Sequence, residues 1–156
     1  MKKLTALVLA CSVALTTTSA MADVAKSEKQ ATRSAELRQS VFSLLGSNMG
    51  VLGAMAKGQV PIDAKTVEKN ATRINQLSLM IDDYTQVDTS GFNVNTEALP
   101  KVWTERSDFE KHITDLTMAS ATLQKVAASG DESAIKKAIG GVGKTCGGCH
   151  DIFKKD

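Results

Sequence analysis

GGVGKTCGGCHDIFKKD, residues 140–156, is the stretch whose reading decides the fold. Cys146, Cys149 and His150 stand at i, i+3 and i+4, the spacing that places three side chains on one face of a helix. Yet Gly140, Gly141, Gly143, Gly147 and Gly148 crowd the same region. Each interior glycine costs a helix about 0.8–1.0 kcal/mol relative to alanine. Something other than intrinsic propensity must make a helix form here.

C-x-x-C-H is the pattern of covalent haem attachment. Two thiols one turn apart can form thioether bonds to the two vinyl groups of one haem, and the next histidine reaches the iron from the same side. A thioredoxin-like dithiol would lie beside a βαβ unit, and no strand pattern is visible. A structural zinc site needs four ligands, and beyond the motif only His112 remains as an obvious imidazole donor. Haem also answers the glycine problem, because three bonds to a rigid macrocycle and burial of that macrocycle offset the poor propensity. Glycines facing the porphyrin would allow close approach, and Gly140 and Gly143 are the expected pair. Gly147 and Gly148 read equally well as filler inside the covalent loop.

The chain opens MKKLTALVLACSVALTTTSAMA. A basic start, an apolar stretch from Leu4 to Leu15 and the small-x-small Ala20-Met21-Ala22 form a secretory signal peptide, with cleavage expected after Ala22. The apolar run is too short for a membrane span. Cys11 follows a lipobox-like Val8-Leu9-Ala10, but the stretch before it is too short for lipidation. The full chain has 19 Lys+Arg and 17 Asp+Glu. Residues 1–22 hold two of the lysines and no acid, so 23–156 carries 17 of each. A balanced chain gives no electrostatic case for nucleic acid or for a membrane surface after cleavage. The three cysteines fall to two, both in the terminal motif.

Residues 23–156 suffice for one domain. Leu37, Val41, Leu44, Leu45, Met49, Leu52 and Met55 form a 3.6-residue stripe from Glu28 to Lys57, stopped by Gly58 and Pro61. Asp63 caps a second helix with Val67, Ala71, Ile74, Leu77, Ile81 and Tyr84 on its apolar face. TQVDTSGFNVNTEAL has no period and reads as a packed loop. Pro100 opens a third helix through Trp103, Phe109, Ile113, Leu116, Leu123 and Val126. After Ser129-Gly130-Asp131 a fourth turns Ile135, Ile139, Val142, Cys146 and Cys149 inward and ends in Lys154-Lys155. Met49, Met55, Met80 and Met118 fit these stripes and are expected in the core. The economical fold is all-α, an antiparallel four-helix bundle with one covalently bound haem.

A C-terminal C-x-x-C-H on the last helix of an exported four-helix bundle resembles the class II cytochromes c, the cytochrome c′ family. The likeness extends to Arg38-Gln39-Ser40, Lys57-Gly58, Pro61-Ile62-Asp63-Ala64, Pro100-Lys101-Val102-Trp103 and Gly140-Gly141-Val142-Gly143. It implies haem c held by Cys146 and Cys149, with His150 as the iron ligand. It places Arg38 and Gln39 at a haem propionate, with Glu97 nearby, and gives Lys154 a position over the His150 side. In the low-spin branch a methionine four residues after the position of Arg38 ligates the iron. Here that position is Phe42, which has no lone pair to offer and is expected to shield an open face. The rival donor Met49 lies seven residues on, roughly 10 Å along the axis. His112 is expected at the boundary of the third helix, not as a second ligand.

The resemblance implies a periplasmic protein that binds small diatomic gases such as nitric oxide and carbon monoxide and can pass electrons to redox partner proteins. The alternative is a dedicated electron carrier with a Met/His-ligated haem. A peroxidase needs a distal acid–base residue, and no histidine is placed for it; no enzyme activity or catalytic residue is expected. A homodimer through helix one is also implied, where Val51, Ala54 and Met55 broaden the apolar surface.

Overall fold

The computed structural model describes residues 23–155. The expected leader, residues 1–22, lies outside the described residues. Four long helices and one single-turn helix follow in order. They are α1 (Glu28–Ala56), α2 (Ala64–Thr85), α3 (Lys101–Thr104), α4 (Arg106–Ala127) and α5 (Glu132–Phe153). The long helices form an antiparallel four-helix bundle. Two-residue strands β1 (Asp23–Val24) and β2 (Val87–Asp88) pair in parallel and tie the start of the described chain to the loop after α2.

Three of the long helices, α1, α2 and α5, begin where a side chain can satisfy free amides. Ser27 accepts from the Gln30 amide, Asp63 from Thr66, and Asp131 from both Ser133 and Ala134. Gly58 and Gly130 sit at φ +71° and +70°, the left-handed turn that ends α1 and α4 at little steric cost. The third expected helix is broken. Glu105, at φ −116° and ψ 45°, separates α3 from α4, and Pro100 precedes the single turn as its N-cap.

Val41, Leu45 and Leu52 of α1 meet Val67, Ile74 and Ile81 of α2, Leu116 and Leu123 of α4, and Ile135, Ile139 and Val142 of α5 in one core. Its α2–α4 seam is partly polar: the Ser78 and Thr117 hydroxyls are 2.7 Å apart, and Asn75 Nδ2 donates to the Thr117 carbonyl at 2.9 Å. Three residues expected inside point outward. Leu44, Met80 and Met118 are 53%, 38% and 56% exposed, because a neighbouring residue on each stripe already fills the core position. Met55 is buried as expected, and Met49 packs partly buried against the core. No helix among the described residues is long and apolar enough to cross a membrane.

Candidate haem site

α1, α2, α4, α5 and the loop before α3 enclose a cavity of about 620 Å³. Its walls are largely apolar, with Leu45, Ile74, Ile81, Phe109, Leu116 and Phe153 among the lining side chains. Into it come all seven residues singled out from the sequence: Arg38, Gln39 and Phe42 from α1, Glu97 from the loop, and Cys146, Cys149 and His150 from α5. Arg38 and Phe42 line it one helical turn apart, and Met49 lines it further along the same helix.

Both cysteines lie half-buried on the cavity wall and form no disulfide. Burial pushes Cys146 up; Cys149 rises to about 11, through burial first and then the neighbouring charges of Cys146 and Asp108. The two thiols would hold a haem at this wall through thioether bonds to its vinyl groups. Among the described residues no group of three or more His, Cys, Asp or Glu side chains is placed to hold a metal ion directly. The dithiol has no βαβ unit beside it.

Arg38 carries the polar end of the cavity. It is 2% exposed, and Nη2 donates to Thr89 Oγ1 at 3.3 Å and Thr96 Oγ1 at 3.0 Å. Nη1 is buried with no hydrogen-bond partner. Desolvation lowers the guanidinium's affinity for its proton, and only Asp88 opposes this. A buried donor left unsatisfied is costly, and a carboxylate entering the cavity would satisfy it. Gln39 is already engaged: its Nε2 donates to the Asn95 carbonyl at 2.7 Å. Glu97 is also engaged, with Oε2 3.1 Å from Lys154 Nζ. An apolar cavity with paired thiols at one wall and an unpaired buried guanidinium fits a haem, whose faces are apolar and whose propionates are anionic.

Residues 33–154 match the protein family described as Cytochrome C′. The chain belongs to the cytochrome c′ family. Its cofactor is therefore haem c, covalently attached. The cytochrome c′ of Rubrivivax gelatinosus is 36% identical over 121 residues, covering 77% of this chain and 92% of that protein. The cytochrome c prime of Shewanella frigidimarina superposes with a TM-score of 0.73 at 36% identity, over 81% of this chain and 97% of that one. A nitric oxide complex of a mutant cytochrome c prime from Alcaligenes xylosoxidans gives 0.71 at 27% identity, over 81% and 97%.

In this cytochrome c′ the glycines sit differently from the sequence expectation. Gly140 is exposed, and a Cβ built on it meets nothing within 4 Å. The reason is angular: Gly140 lies nine residues before Cys149, on the opposite side of the helix. At Gly143 a Cβ would come within 4.0 Å of Met49 Cε, an ordinary contact. Gly147 also faces open space. None of these glycines lines the cavity.

His112 is half-buried on the cavity wall, edge-on to Phe153 with centroids 5.6 Å apart. Lys154 and Lys155 are not in α5, which ends at Phe153; Lys154 pairs with Ala98 in an antiparallel bridge. Sequence reasoning missed Asn95 and Thr96, the hydrogen-bond partners of Gln39 and Arg38. Their only signal was membership of a polar loop too long to be left unpacked.

Proposed function

We propose that this cytochrome c′ is a periplasmic protein that binds nitric oxide or carbon monoxide at a haem iron whose only protein ligand is His150. Cys146 and Cys149 are the thioether anchors, and Arg38 and Gln39 serve the propionate end. The observation that carries this reading is Phe42, a ring with no donor atom one turn from Arg38 on the cavity wall. The haem supplies an iron able to take a diatomic ligand. The chain supplies an apolar surround that gives bound water or a hydroxide no partner, and so favours small neutral ligands. The nitric oxide complex of the Alcaligenes relative supports the same ligand class. Electron transfer to a partner protein is compatible with this site.

Met49 supports a second reading, because it also lines the cavity. A thioether on the iron would give a six-coordinate site suited to a dedicated electron carrier. Absorption spectra of the ferric and ferrous protein separate the two. High-spin spectra that change on adding carbon monoxide or nitric oxide are expected. Low-spin spectra with a sulfur-to-iron band, inert to carbon monoxide, would put Met49 on the iron and make electron transfer the function.

A homodimer belongs to the same proposal. α1 turns Leu44 and Val51 outward two turns apart, and the adjoining α2 turns Leu79 and Met80 outward. A second copy covering these side chains would bury an otherwise exposed apolar surface.

A further inference from the structure

The exposed residues of the cavity lining mark its mouth. They are Gln39, Ser43 and Gly46 on α1, Asn95 and Glu97 on the loop before α3, and His150 on α5. The mouth therefore lies along the seam between α1 and α5, and that seam is closed at both ends. At one end loop residues 95–99 cross it as a strap, held where Gln39 Nε2 donates to the Asn95 carbonyl at 2.7 Å. At the other end Met49 Cε reaches α5, 4.0 Å from where a Cβ on Gly143 would stand. The two closures are about 15 Å apart along α1, the rise from Gln39 to Met49. Between them the exposed lining residues of α1 are Ser43 and Gly46.

We propose that Gly46 is the bare rim of the route by which a diatomic ligand reaches the face behind Phe42, so that it sets the rate of entry and exit and leaves affinity alone. The inference rests on the open-iron reading above. Phe42 and Gly46 are one helical turn apart on the same side of α1, and both line the cavity. His150 would hold the iron from α5, so the part of the mouth bordered by α1 is the part that leads to the opposite face. A helical side chain covers the turn N-terminal to its own Cα. Any side chain at position 46 would therefore lie over Phe42 and Ser43, across that approach. A Cβ at Gly46 meets nothing within 4 Å, so close packing is not the reason for a glycine here, although glycine inside an exposed helix is costly. Gly50 is the matched control. It is exposed one turn further along α1, equally open around its Cβ, and outside the cavity lining.

The test is carbon monoxide kinetics of the ferrous holo protein, with association by rapid mixing and dissociation by trapping the freed ferrous haem with ferricyanide. Wild type, Gly46→Ala, Gly46→Leu and Gly50→Leu are compared. An obstacle outside the binding position slows arrival and departure alike. Gly46→Leu should therefore lower both rates about tenfold, an added barrier of about 1.4 kcal/mol, with affinity unchanged. Gly46→Ala should act in the same direction to a smaller extent, and Gly50→Leu should keep both wild-type rates. Thermal melting gives a readout independent of ligand: all three variants should melt above wild type, because each loses an exposed glycine inside a helix. If carbon monoxide binds but both rates of Gly46→Leu equal those of wild type, the ligand enters elsewhere. If affinity falls through faster dissociation, the new side chain touches the bound ligand. If Gly50→Leu slows binding as much, the effect belongs to the helix, and if Gly46→Leu melts lower, position 46 is packed and not open. Each of these results overturns the entry role and leaves the gas-binding reading standing. If wild type takes no carbon monoxide, both fail together.

Discussion

The Arg38 guanidinium carbon lies 5.2 Å from the centre of the Trp103 ring, so a buried cation rests on an indole face while one of its nitrogens stays free for the cavity. The indole is fixed in turn by Nε1, which donates to the Thr85 carbonyl at 2.9 Å. α1, α2 and α3 therefore meet at the guanidinium proposed to receive the cofactor's charge. Replacing Arg38 by Ala should lower the unfolding free energy of the holo protein by about 3–5 kcal/mol, because a buried carboxylate loses its partner. Arg38→Lys should recover only part, since an ammonium cannot serve Thr89, Thr96 and a carboxylate in one plane. Guanidinium denaturation followed at the haem band measures both.

Trp103→Phe should cost far less. The Thr85 carbonyl keeps a second donor, Arg106 Nη1 at 3.2 Å, so loss of the indole N–H leaves no orphan acceptor. A loss of about 0.5–1.5 kcal/mol is expected in the same denaturation experiment.

Phe42→Met should put a thioether where the phenyl ring lines the cavity. The expected outcome is a shift toward low-spin spectra and a fall in carbon monoxide binding, read by absorption titration. An unchanged high-spin spectrum would mean that this position does not face the iron.

The seam between α2 and α4 predicts a non-additive pair. Ser78→Ala leaves the half-buried Thr117 hydroxyl, and Thr117→Val the fully buried Ser78 hydroxyl, with one partner fewer, whereas the double change removes both groups. Each single change should cost about 1–3 kcal/mol and the double less than their sum, in a double-mutant cycle of thermal or denaturant unfolding.

Asp63 supplies the pH dependence. The Thr66 hydroxyl and nearby amides hold its carboxyl below its ordinary 3.8. A depressed carboxyl stabilises the fold above its unfolded value and loses that contribution as pH falls through the folded one. Asp63→Ala should therefore melt lower than wild type at pH 7, and the gap should close below about pH 4.

The four long helices were legible because period and caps agree. Asp63 and Asp131 cap where expected, and the stripes through Ile74, Leu123 and Ile139 face one core. The residues named for the site all line one cavity: C-x-x-C-H fixes a face of α5, whereas Arg38, Gln39 and Glu97 followed from the family resemblance and from no local pattern. What periodicity lacks is knowledge of neighbours. Leu44 sits on a stripe beside Leu45, and only packing decides which of the two is inside. The break at Glu105 carries no glycine or proline to announce it. Gly140 was readable: a helical wheel drawn from Cys149 puts it outside, but grouping the glycines by adjacency hid that. The partnership of Glu97 with Lys154 needed the loop's path, which no local pattern encodes.

Thr96 lies 58 residues from Arg38 and 59 from Lys155, and it bonds to both. The strap at the cavity's polar end is thus the midpoint of two long loop closures, each of which costs chain entropy before any contact repays it. The second closure cannot be made by a chain shortened at its C-terminal end. A polypeptide that stops before Cys146 lacks the cofactor's anchors and the strap's second mooring together, so it presents an open apolar groove and no weakened version of the site. Proteolytic loss of this end therefore removes the whole site at once and uncovers the apolar side chains that the end of α5 packs against.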